Sequence, residues 1–331
     1  MKNSKIIAAS AIATVMTASS AYAELSVGGG MAGWFESGDN VTSAQRTWNT
    51  GSVNVSYSAT LDNGMGLSVN ANVGDTSAYT AAGYGSAKTA SGSADIKSWD
   101  KGGANYNMSI SSDMGTITFG DQIASANDYM DNSVQNGSLF ACCTASNGAP
   151  NAILGYNDGD SAQGNDGFVY TSPSMNGWTI RASHGLTANQ VSEGGDDTNS
   201  IATTGSIGGV AVAAGMLTIG EQGADAEIDS TFAQAGMSFG DIGVSYGMYS
   251  TDGSGDATMI VIDMPLMGMT SKVTFADFDA EGAGTDADGY QIGLSKSLGA
   301  ASFGVEFAHS EAGSGSDNET ETWKLGYAVY F

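Results

Sequence analysis

The chain has 331 residues, 35 of them Asp or Glu and only 10 Lys or Arg, giving a net charge of -25. That balance excludes nucleic acid as a partner, because binding it relies on Lys and Arg clusters to neutralise phosphates. With 48 Gly, 3 Pro and no long apolar pattern of helical period, the composition argues for short strands joined by turns.

Lys2 and Lys5 open the chain, a short apolar run follows from Ile6 to Ala18, and Ala21-Tyr22-Ala23 is a small-x-small cleavage site. Residues 1-23 therefore read as a secretory signal peptide, with 24-331 as one mature domain outside the cytoplasm. Cleavage removes two lysines and no acids, so the mature net charge is -27. Nothing downstream approaches 18 consecutive apolar residues, so the mature chain has no helix to place across a bilayer.

From there the dominant signal is a period of two, the mark of strands with one apolar face. Leu25 to Phe35 makes the first strand. Val53, Val55, Tyr57, Ala59 and Leu61 alternate with polar residues, turn at Asp62-Asn63-Gly64, and continue as Leu67, Val69, Ala71 and Val73. The unit repeats about Ser112 to Gly115, Asn176-Gly177, Gly208-Gly209, Gly240-Asp241, a turn near Pro265, and Leu298-Gly299. Turns of this chemistry join antiparallel hairpins. The predicted strands are 25-36, 51-61, 66-74, 103-112, 115-120, 166-172, 177-184, 199-207, 210-219, 229-239, 242-250, 257-264, 268-276, 288-297, 300-309 and 320-331. Sixteen is even, so both termini lie on one side.

Connections alternate in length: brief turns on one side, and acidic, Gly/Ser-rich segments such as 74-102 and 277-287 on the other. A soluble sandwich has no reason to gather its long loops at one end, whereas a transmembrane barrel has short periplasmic turns and long external loops. In lipid every backbone group must be paired, which a closed barrel achieves with an apolar outer row and a polar inner one. The predicted fold is thus all-β, a 16-stranded antiparallel transmembrane barrel. The final strand, with Trp323, Leu325, Tyr327, Val329 and Phe331 in one row, closes it against the first.

Cys142 and Cys143 are adjacent, so a bond between them would be strained and a disulfide framework is excluded. Catalytic signals are weak. His184 and His309 stand far apart, Gly28-Gly29-Gly30 lies inside a strand, and no nucleophile elbow is present. The reading is a non-enzyme without cofactor, although acidic loops such as the one at Asp286-Ala287-Asp288-Gly289 could hold divalent cations loosely.

Three stretches resemble the Gram-negative trimeric general porins, the 16-stranded proteobacterial type: Met-Gly-Thr-Ile-Thr-Phe-Gly-Asp at 114-121, the run from Phe168 to Trp178, and the terminal Tyr327-Ala328-Val329-Tyr330-Phe331. The resemblance implies an outer-membrane, water-filled channel for passive diffusion of small hydrophilic solutes, a homotrimer set among outer-membrane lipids. It also implies that the outer-membrane assembly machinery reads the last strand through Tyr327, Val329 and Phe331. In such porins a long third loop folds into the pore, and here 122-165 is the longest connection. Asp121, Asp128 and Asp131 are the expected acidic side of that constriction, unless the loop is an ordinary exposed one. Parity points Arg181, Lys272 and Lys324 inward as the basic wall, Lys324 being alternatively a rim contact; Arg46, in the first loop, either folds inward or lies exposed. Only Arg46 and Arg181 are arginines, fewer than such porins often carry. The net charge predicts a preference for cations. A secreted β-sandwich or adhesin, and an outer-membrane enzyme built on a barrel, are the alternatives.

Overall fold

A computed structural model describes residues 23-38, 46-81, 104-120, 166-186, 197-220, 228-253, 255-281, 286-312 and 319-331. These form sixteen strands: β1 (Ala23–Gly38), β2 (Arg46–Thr60), β3 (Gly66–Ala81), β4 (Ala104–Ser112), β5 (Gly115–Gly120), β6 (Asp166–Thr171), β7 (Thr179–Leu186), β8 (Asp197–Ile207), β9 (Val210–Ile219), β10 (Ile228–Phe239), β11 (Ile242–Thr251), β12 (Gly255–Leu266), β13 (Met269–Ala280), β14 (Ala287–Leu298), β15 (Ala301–Ala312) and β16 (Glu319–Tyr330). Each pairs antiparallel with its neighbours in sequence, and β16 returns to β1, so the sheet is a closed barrel. The all-β, 16-stranded barrel expected from alternation is the one found. Of the signal-peptide assignment, residues 1-22 lie outside the described residues, and Ala23 is the first residue of β1.

Turn chemistry fixes the hairpins. Gly208 and Gly209 both hold positive φ, 59° and 88°, as do Asn176 and Gly177 at 55° and 84°. Two such residues in succession match the right-handed twist of the flanking strands. At the β12–β13 hairpin the turn falls on Met267 and Gly268 (φ 54° and 73°) rather than near Pro265. Proline is locked at negative φ and cannot occupy either place, so Pro265 stays in the strand opposite Thr270.

Several strands outrun the alternation on the side of the long connections: β3 continues past residue 74 to Ala81, and β13 past 276 to Ala280. There the outward positions turn polar, as Asp277 and Asp279 do, while backbone pairing continues. Side-chain pattern reports the surroundings of a strand, and hydrogen bonding does not require that pattern.

Closure is made at the chain end. Phe331 donates its N–H to the Gly29 carbonyl at 3.0 Å, and Gly29 returns a bond to the Phe331 carbonyl at 2.8 Å. The outward row of β16 is exposed, Trp323 at 54% and Leu325 at 61%, and so are the outward residues of other strands, among them Ile201, Met216, Met248, Phe275 and Ile292. In register they form continuous bands, such as Val273, Ile292, Phe307 and Trp323, with Phe307 and Trp323 rings 4.6 Å apart. From Phe331 to Trp323 is roughly 27 Å along a strand at about 3.4 Å per residue, which a tilt of about 40° reduces to roughly 20 Å. That is close to the apolar height of an outer-membrane barrel, about 25 Å.

Candidate pore wall

The inner face divides into sectors of different chemistry. On β2 to β5, Ser58, Ser68, Ser109 and Thr118 stand side by side in register. Within this row the Ser109 and Thr118 hydroxyls share a bond of 2.7 Å, and one row away Asn70 donates from Nδ2 to Asn107 Oδ1 at 3.0 Å. Ser58, Thr60, Ser68, Ser109, Ser111 and Thr116 line a recess of about 470 Å³. Here the inner row is neutral and polar, as predicted for a lumen.

On β8 to β13 it is not. Ala202, Ala213, Phe232, Ala257, Met259, Val261 and Ala276 form a buried apolar cluster, with Tyr249, Phe278 and Ala287 packed against it. All of these alternate with the exposed apolar row, so the cluster lies inside the barrel. Met259 is 1% exposed, and Val261 and Thr274 are 0% exposed. The expectation of a polar inner row is therefore corrected for this arc. A buried inner side chain obeys the rules of a core, where apolar residues are favoured.

The predicted wall cations distribute unevenly. Arg181 occupies the inner row between Thr171 and Ala202. Lys272, half-buried, lies opposite Asp263. Lys324 is buried, with Glu306 on one side and Glu36 on the other in the register, and Glu36 in turn pairs with Arg46. Arg46 is thus the first residue of β2 rather than part of the first loop. Glu306, 2% exposed, accepts a bond from Gln291 Nε2 at 3.0 Å. Lys272, Lys324 and Arg46 belong to one arc of the wall, and Arg181 stands apart from it. Asp121, Asp128 and Asp131 lie outside the described residues, β5 ending at Gly120, as do Cys142 and Cys143.

Sequence reasoning passed over Asp263, Glu306 and Glu36. The signal was available for Glu306, which falls between the outward Val305 and Phe307 and so must point inward. The two histidines sit on the outer face: His184 Nδ1 is 2.9 Å from Asn199 Oδ1, and His309 stacks on Tyr290 at 5.2 Å with Glu321 at 3.9 Å.

A closed 16-stranded barrel, apolar outside and lined by polar and charged side chains over part of its inner wall, defines a class: the outer-membrane channels. The family model of the Gram-negative porins matches residues 8-329, and the chain belongs to that family, whose members form outer-membrane channels for passive diffusion. Among solved structures, a mutant of the Rh. blastica porin is similar with a TM-score of 0.65 at 16% identity, covering 93% of this chain and 100% of that one. A triple mutant of the Rhodopseudomonas blastica porin gives 0.64 at 14% over the same shares. A structure described as "Asymmetric conductivity of engineered proteins" gives 0.62 at 15%, again over 93% of this chain and 100% of that one. No curated protein matches the sequence. At these identities the likeness concerns the fold.

Proposed function

We propose that this porin is a cation-preferring, non-enzymatic channel through which small hydrophilic solutes diffuse, exported by residues 1-23 and working as a homotrimer. The observation that carries the reading is the closed barrel with exposed apolar rows outside and a hydroxyl- and amide-lined inner face on β2 to β5. The cation preference rests on charge: 35 acids against 10 basic residues set a negative potential at the mouths, which concentrates cations. Asp121, Asp128 and Asp131 form the acidic side of a constriction made by the third loop, facing Arg181, Lys272, Lys324 and Arg46 on the wall. Tyr327, Val329 and Phe331 serve as the signal for the assembly machinery. No cofactor takes part, and external acidic loops hold divalent cations only loosely.

The test is the reversal potential of reconstituted protein in a planar bilayer under a KCl gradient. Stepwise conductance with a cation-selective potential is expected. Conductance with anion selectivity would overturn the charge assignment alone, and absence of conductance from verified folded protein would overturn the channel.

A further inference from the structure

Across the barrel wall from β12 through β16 to β2, one register row reads Asp263, Lys272, Gly293, Glu306, Lys324, Glu36, Arg46. Gly293 carries no charge, and the other six alternate in sign without a break. Asp263 lies near the short turn at Met267-Gly268, whereas Arg46 opens β2 beside the connection 39-45. The row therefore climbs obliquely from one mouth to the other.

We infer that this row holds a charge-compensated strip, in which the carboxylates Asp263 and Glu306 cancel the wall cations Lys272 and Lys324, making Glu306 a selectivity-determining residue of the channel. The inference deepens the channel reading and rests on it. Directly opposed residues of an antiparallel pair have Cβ atoms about 4.5 to 5.5 Å apart, close enough for opposite charges to interact. Glu306 at 2% and Lys324 at 7% exposure are too buried for either charge to stand without its counterpart. The Gln291 bond to Glu306 supplies a further partner at 3.0 Å. Two negative and two positive charges sum to zero, so Lys272 and Lys324 present no net positive field. The wall then does little to oppose a cation preference set elsewhere.

Removing one member should unmask its partner. Glu306→Gln keeps the shape and the capacity to bond Gln291, and leaves the strip with one excess positive charge. The cation-over-anion permeability ratio is expected to fall roughly twofold or more, since an added unit charge near the pore acts oppositely on the two ions. Lys324→Gln should raise the ratio, and the double variant should return it to the wild-type value. The temperature at which the folded band is lost should drop in each single variant and recover in the double, a coupling that mere charge counting does not require. Should Glu306→Gln fail to fold, Asp263→Asn, in a half-buried position opposite Lys272, carries the same expected shift. Conducting variants with unchanged permeability ratios would overturn the strip and leave the channel standing. A wild-type protein that does not conduct would overturn the channel reading, and this one with it.

Discussion

Met267 and Asn176 are the described residues other than glycine that hold a positive φ. Asparagine tolerates this conformation because its short polar side chain bonds locally, but methionine does not, and the left-handed region costs an ordinary residue about 1 to 2 kcal/mol. Met267 is 89% exposed, so its side chain contributes little packing that a substitution could remove. Met267→Asn should therefore stabilise the barrel by about 1 kcal/mol, read as a higher urea midpoint for unfolding from detergent micelles at an unchanged slope. A midpoint that stays put would mean that the turn relaxes without strain. The same residue explains a limit on reading turns. Asn176-Gly177 declares itself from residue type, whereas Met267-Gly268 has only half of that signature, and the nearby Pro265 drew the turn toward itself.

At the level of the strands, the outer face changes character abruptly above the aromatic residues Phe275, Tyr290 and Trp323. Asp277, Asp288, Glu311 and Glu319 stand next to one another in a single register row across β13 to β16, all exposed. Like charges directly opposed across strands repel, so this row destabilises the sheet, and Asp288 has an acid on each side. Asp288→Asn is expected to raise the temperature at which folded protein converts to the slow-migrating band, by an amount corresponding to a few tenths of a kcal/mol. Because the interaction is between exposed charges, the gain should shrink as salt is added and the Debye length falls from about 30 Å at 0.01 M to about 10 Å at 0.1 M. A gain independent of salt would point to a cause other than repulsion. Each of these acids is visible in the sequence as part of a polar loop patch. Their alignment is not, because it depends on which residue of β14 meets which residue of β13, a matter of register that alternation alone does not determine. The same is true of Glu306 and Lys324, eighteen positions apart in the chain and neighbours in the wall.

For the molecule as a whole, the two faces of the sheet differ in how readily they can be read. Lipid imposes one rule on the outer row, so Val53 and Val55, Ile201, Met237, Phe239 and the row of β16 announce themselves as a set, and the strand count follows from them. The inner row obeys two rules, one for exposed positions and one for buried positions, and a polar–apolar pattern averages over both. Ser58, exposed, and Thr274, fully buried, are both small hydroxyl residues of the inner row, yet they stand in opposite surroundings. This asymmetry predicts where water and solutes travel: along the hydroxyl-lined arc of β2 to β5, away from the apolar cluster on β8 to β13. In a background with Cys142→Ser and Cys143→Ser, a cysteine introduced by Ser58→Cys should react readily with a charged, membrane-impermeant thiol reagent, and its modification should lower single-channel conductance. Thr274→Cys should stay unreacted in the folded barrel and become reactive only in denaturant, because a 0% exposed side chain offers the reagent no approach. Equal reactivity at both positions would mean that water fills the barrel on every side, and the buried inner cluster would then have to open in the membrane.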